Sequence, residues 1–109
     1  ECNKEIKKLQ NYYRGLFTFG SFLFDVEYEN DIKNVTREYL ERVDNIVGYH
    51  CDQIIVETRK YTTLREKLHG QYELKQWKLK KEFEKNLEKL KREHIKNLRN
   101  MIRVIYILM

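Results

Sequence analysis

Proline and alanine are absent from this 109-residue chain, serine occurs once, glycine four times and cysteine twice. Proline and glycine punctuate sandwiches, barrels and hairpin-rich folds, so their scarcity excludes many-stranded architectures and leaves a few long helices. The two cysteines, Cys2 and Cys51, are too few for a disulfide framework and are not spaced as C-x-x-C or a zinc finger. They read as separate thiols, with one bridge as the alternative in an oxidising compartment. No run approaches the roughly 18 to 20 apolar residues of a spanning helix, and no basic segment followed by an apolar one opens the chain. No targeting or transmembrane segment is therefore visible, and localisation stays open. Asn34-Val35-Thr36 matches the N-glycosylation acceptor pattern, which matters only in a secreted chain.

What is present is charge and pattern. Charged residues make up 36% and hydrophobic residues 41%, with a net charge of +5. This balance excludes both a membrane-embedded chain and a disordered one. One domain is expected, burying roughly two-thirds of the surface its unfolded chain would expose.

Apolar periodicity is clearest in the second half, where Leu79, Phe83, Leu87, Leu90, His94, Leu98, Met101, Ile105 and Leu108 follow at intervals of three and four. Their mean spacing of about 3.6 predicts a straight amphipathic helix over 71–109. A second row, from Ile32 through Val35, Tyr39, Val43, Ile46, His50 and Ile54 to Tyr61, Leu64 and Leu68, predicts a helix over 31–69 with Asp31 as its N-cap. Gly70, following Lys67, Leu68 and His69, has the form of a helix C-cap and places the break between these helices there. Thr63 with Glu66 offers a competing break near 60–63. Gly48 then falls inside a helix, at a cost of about 1 kcal/mol relative to alanine. Ile6, Leu9, Tyr12, Tyr13 and Leu16 predict a short helix over 1–14, followed by a Phe-rich connecting segment over 15–30. The expected fold is all-α: an elongated three-helix arrangement of one short helix and a long antiparallel hairpin.

Two surface features bear on function. Lys75, Lys78, Lys81, Lys85, Lys89, Arg92, Lys96, Arg99 and Arg103 recur at helical spacing opposite the apolar row, and residues 63–109 carry thirteen basic and six acidic groups. Such a stripe is either a solvated face or a surface for an anionic partner: acidic protein, anionic lipid headgroups or nucleic-acid phosphates. Nucleic acid is the weakest of these. No zinc finger, RNP motif or Gly-x-x-Gly clamp is present, and lysine outnumbers arginine in the stripe.

The second feature is apolar surplus at Phe17, Phe19, Phe22 and Phe24, at Trp77, and at Ile102 and Ile105 within the terminal run 101–109. These segments either cover each other or form an interface. Little points to catalysis. His50 and His94 lie on apolar rows and read as buried or interface residues, His50 adjoins Cys51 without an orienting third group, and no phosphate loop or nucleophile elbow occurs. No enzyme activity, cofactor or metal is expected. The sequence thus points to a helical protein-interaction or assembly module, pairing with a protein partner or a second copy. The alternative is a membrane-surface or lipid-binding domain that applies the basic stripe to headgroups and the phenylalanines to acyl chains.

Overall fold

The computed structural model describes residues 2–46, 48 and 50–109, with side chains from residue 4 onward. Two helices carry them: α1, Cys2–Asp44, of 43 residues, and α2, Cys51–Leu108, of 58. The expected three-helix arrangement is thereby corrected to two. The described part of 1–14, the segment 15–30 and the start of 31–69 merge into α1, and Asp31 lies within it. Neither expected break occurs, since Gly70 and residues 60–63 all sit inside α2.

The chain reverses between Asp44 and Cys51, where Gly48 adopts a φ of 85°. That left-handed conformation suits glycine because a Cβ would crowd the backbone. Approaching the turn, Asn45 N donates to Glu41 O and Ile46 N to Val43 O, each at 3.1 Å, so the second bond tightens to i,i+3 geometry. Beyond it the His50 carbonyl accepts from Gln53 N and Ile54 N, both at 3.1 Å, and opens α2. His50 is exposed, so of its two expected places, buried or at an interface, the buried one is excluded.

The Phe-rich segment is helical for two reasons. It lacks proline, and Tyr13, Phe17, Gly20, Phe24 and Tyr28 fall at helical spacing on one face. Burial of that face offsets the local cost of glycine and aromatic residues, because tertiary packing supplies most helical stability.

Contacts group into two units, one of Glu1–Ser21 with Lys78–Met109 and one of Phe22–Trp77. In the second, tyrosines take the place of an aliphatic core. Tyr39 stacks on Tyr61 at 4.4 Å and Tyr28 on Tyr72 at 4.5 Å between ring centroids. Their hydroxyls are satisfied in pairs. Thr58 Oγ1 donates to Ile54 O at 2.7 Å and so accepts from the Tyr39 hydroxyl at 2.8 Å. Tyr72 donates to Asp25, which also accepts from Gln76 Nε2 at 3.2 Å. Tyr28 donates to His69 Nδ1 at 3.1 Å while His69 Nε2 faces Glu73 at 2.8 Å, which assigns the ring proton to Nε2 in the neutral form.

In the first unit Phe17 stacks on Phe83 at 4.9 Å, and Gly20 admits Leu79 so closely that a Cβ there would lie 3.0 Å from Leu79 Cδ2. Leu90, 4% exposed, is the one buried residue among the described residues, and no side chain among them is fully buried. His94 is half-buried, and its Nδ1 is buried without a hydrogen-bond partner.

The accessible surface is 9528 Å². A compact monomer of 13.5 kDa would expose about 6,500 Å² and its unfolded chain about 19,600 Å². Folding therefore hides about half of the chain's surface, not the two-thirds expected of a domain with its own core.

Candidate functional site

On α1 two apolar rows run side by side. The inner row of Tyr13, Phe17, Phe24, Tyr28, Val35 and Tyr39 is half-buried. An outer row of Leu9, Tyr12, Leu16, Phe19, Leu23 and Val26 is exposed, reaching 62% at Phe19. At 100° per residue the outer row lies about 120° round the helix from the inner one. Sequence reasoning missed this row because Leu9, Tyr12 and Leu16 were assigned to a short helix that stopped before Phe19. The signal was present as a second spacing of three and four through the same segment.

Of the phenylalanines expected at an interface, Phe19 and Phe22 are exposed, whereas Phe17 faces Phe83 and Phe24 is half-buried with the Lys75 ammonium 5.8 Å from its ring. Trp77, Ile102 and Ile105 are exposed, as is the whole run Met101–Met109. That run does not fold onto the phenylalanines of its own unit. With α1 and α2 antiparallel and Phe17 opposite Phe83, the amino-terminal end of α1 meets α2 before residue 101, so the last turns of α2 extend past it.

The basic stripe divides by partner. In the second unit Lys75 binds Glu27 at 2.9 Å. In the first, Arg92 pairs with Glu88 at 2.9 Å and Lys81 with Glu84 at 3.4 Å. Lys78, Lys85, Lys89, Lys96, Arg99 and Arg103 are exposed and form no ion pair among the described residues. Arg92, Lys96, Arg99 and Arg103 line a shallow groove of about 390 Å³ with Ile95 and Asn100.

Two tyrosines carry opposite electrostatic shifts. The hydrogen bond from Tyr72 to Asp25 raises the Tyr72 pKa above 10, with desolvation adding to it, since ionisation would set a phenolate beside a carboxylate. The Thr36 hydroxyl on Tyr61, seconded by the Arg65 guanidinium, lowers the Tyr61 pKa against an opposing desolvation. Both pairs sit within the tyrosine layer and have structural partners. Cys51 is a free, exposed thiol, and the Cys2 side chain lies outside the described residues, as does any bridge to it.

Among the described residues no three His, Cys, Asp or Glu side chains cluster to hold a metal ion, and no helix is long and apolar enough to cross a membrane. Comparison with protein-family models, curated proteins and solved structures finds no match.

Proposed function

We propose that this chain is a non-enzymatic helical assembly module, built to complete its core against another protein helix. One observation carries the reading: 23 large apolar side chains among the described residues are exposed, while Leu90 is the one buried hydrophobic residue among them. Folded monomers seldom expose contiguous apolar patches beyond a few hundred Å². Here the outer row of α1 and the end of α2 each present one. Sedimentation velocity over a concentration series, with apolar-dye binding alongside, tests the reading. Association, or dye bound by the dispersed chain, supports it, and a strict monomer that binds no dye refutes it.

A second reading, attachment to an anionic membrane surface, draws on the six unpaired cations of the stripe and on exposed Phe19 and Phe22. It is weakened by Phe17 and Phe24, which turn toward α2 and leave half of the expected acyl contacts unavailable. Co-flotation with anionic but not neutral vesicles, abolished by high salt, would favour it.

A further inference from the structure

We propose that the end of α2 docks on an anionic lipid surface, with Lys96, Arg99 and Arg103 on the headgroup phosphates and the turns beyond Arg103 among the acyl chains. The inference takes its class of partner from the membrane reading but moves the lipid contacts off α1, whose outer row stays with the assembly reading.

Charge sets this segment apart from the rest of α2. Between Lys75 and Glu93 the cations are interspersed with Glu82, Glu84, Glu88 and Glu93, whereas residues 94–109 hold Lys96, Arg99 and Arg103 and no acidic residue. None of the three forms an ion pair among the described residues. With Arg92 they fall within an arc of about 60° at 100° per residue. Ile95 and Asn100 complete the shallow groove of about 390 Å³ along that arc, which leaves room for headgroup phosphates. Like charges gathered without internal counter-ions repel one another, and an anionic surface relieves that repulsion.

The apolar side chains are set against this arc. Every residue of 95–109 is exposed, because the last turns of α2 extend past α1. Leu98, Met101, Ile102 and Ile105 centre about 140° round the helix from the cations. A cationic face and an apolar face on the same turns make an interfacial helix, in which long basic stems lie along the apolar surface while their heads stay at the headgroups.

The tip decides between a lipid surface and a protein helix. Val104, Ile105, Tyr106, Ile107 and Leu108 follow without interruption, and at 100° per residue they leave no arc wider than about 100° free of an apolar or aromatic side chain. Ile107 and Leu108 are 80% and 81% exposed. One packed helix covers a single stripe of about that width and would leave the other sides in water, whereas a lipid phase surrounds a helix on every side. From Arg103 to Leu108 the helix rises about 8 Å, within the roughly 5 to 10 Å to which interfacial helices sink their apolar face. Tyr106 adds a ring with one polar end, the kind of side chain that settles at the boundary between headgroups and acyl chains.

The test is flotation of the full chain with vesicles of phosphatidylcholine alone and of phosphatidylcholine mixed with phosphatidylserine, at low and high salt, with sedimentation velocity alongside. Binding is expected to the mixed vesicles only and to be lost at high salt. The double variant R99Q/R103Q should lower partitioning about thirtyfold, at the usual contribution of two cations near an anionic surface. The double variant I107S/L108S should lower it about tenfold or more, and because both side chains are exposed it leaves the hairpin intact, which helical circular dichroism checks. Lys78 and Lys85 lie at least about 20 Å along α2 from Arg99, beyond the roughly 10 Å reach of an exposed charge, so K78Q/K85Q should change partitioning less than about threefold. Equal losses in K78Q/K85Q and R99Q/R103Q would show diffuse attraction and overturn the inference. Flotation kept in both end variants but lost in F19S/F22S would also overturn it while the membrane reading stands on α1. Absence of flotation removes the inference and the membrane reading together, and sedimentation then judges the assembly reading by itself. Self-association abolished by I107S/L108S, with flotation unchanged, would make the tip a protein interface and overturn the inference as well.

Discussion

Replacing Gly70 with alanine discriminates directly between two places for the chain reversal. In the structure Gly70 is an interior residue of α2, and a Cβ built on it meets nothing within 4 Å. Alanine there gains the full propensity difference, about 0.8 to 1.0 kcal/mol, with no packing penalty. Gly48, at φ 85°, behaves in the opposite way, since an alanine Cβ in the left-handed region costs about 1 to 2 kcal/mol. The two substitutions should therefore differ by about 2 to 3 kcal/mol and in sign. Gly15, also open, should follow Gly70. At Gly20 the Cβ would stand 3.0 Å from Leu79 Cδ2, a methyl at the end of a side chain that can rotate away, so the propensity gain is largely cancelled and the net change is near zero. The assay is urea unfolding followed by helical circular dichroism at one fixed protein concentration, because association would otherwise shift the midpoint. With a slope of about 2 kcal/mol per molar, Gly70→Ala should raise the midpoint by about 0.5 M. A lower midpoint for Gly70→Ala together with a higher one for Gly48→Ala would place the turn at Gly70 and refute the two-helix account.

Other expectations concern the sparse core. Leu90→Ala should cost about 2 to 3 kcal/mol, the lower part of the usual range because its surroundings are half-exposed, whereas Leu98→Ala should cost under about 1 kcal/mol; denaturation midpoints measure both. His94→Leu should leave stability unchanged or raise it by about 1 kcal/mol, since it removes a buried nitrogen that has no partner; a loss above 2 kcal/mol would reveal a bond to that nitrogen. Phenolate absorbance, compared with Tyr→Phe variants, should show Tyr61 ionising below 10 and Tyr72 above it. Because the folded pKa of Tyr72 is raised, its contribution is complete below about pH 10 and is lost as pH climbs through the folded value. The contribution of Tyr61 has the opposite sense, being present above about pH 10 and lost as pH falls through its lowered value.

Helical class was legible from composition alone, and the inner face of α2 from Leu79 to His94 was legible from spacing. The place of the turn was not. Gly70 after Lys67 and His69 is as good a local stop as Asn45 and Gly48, and the tie is broken by pairing that no local signal contains. Only a reversal between Asp44 and Cys51 sets Tyr39 on Tyr61, Tyr28 on Tyr72 and Phe17 on Phe83. The same error hid the outer row, because ending a helix at residue 14 cut its repeat after Tyr12. Whether the run around Ile102 and Ile105 is covered by the Phe-rich segment or left exposed was not legible from spacing, and the inward turn of Phe17 and Phe24 required knowing that the Phe-rich segment is helix and not connection.

The central claim, that exposed apolar side chains of α1 and α2 are covered by another protein helix, is tested most directly by sedimentation velocity of the full chain over a concentration series with an apolar dye alongside. The account predicts association, or dye bound by the dispersed chain. A strict monomer that binds no dye would contradict it.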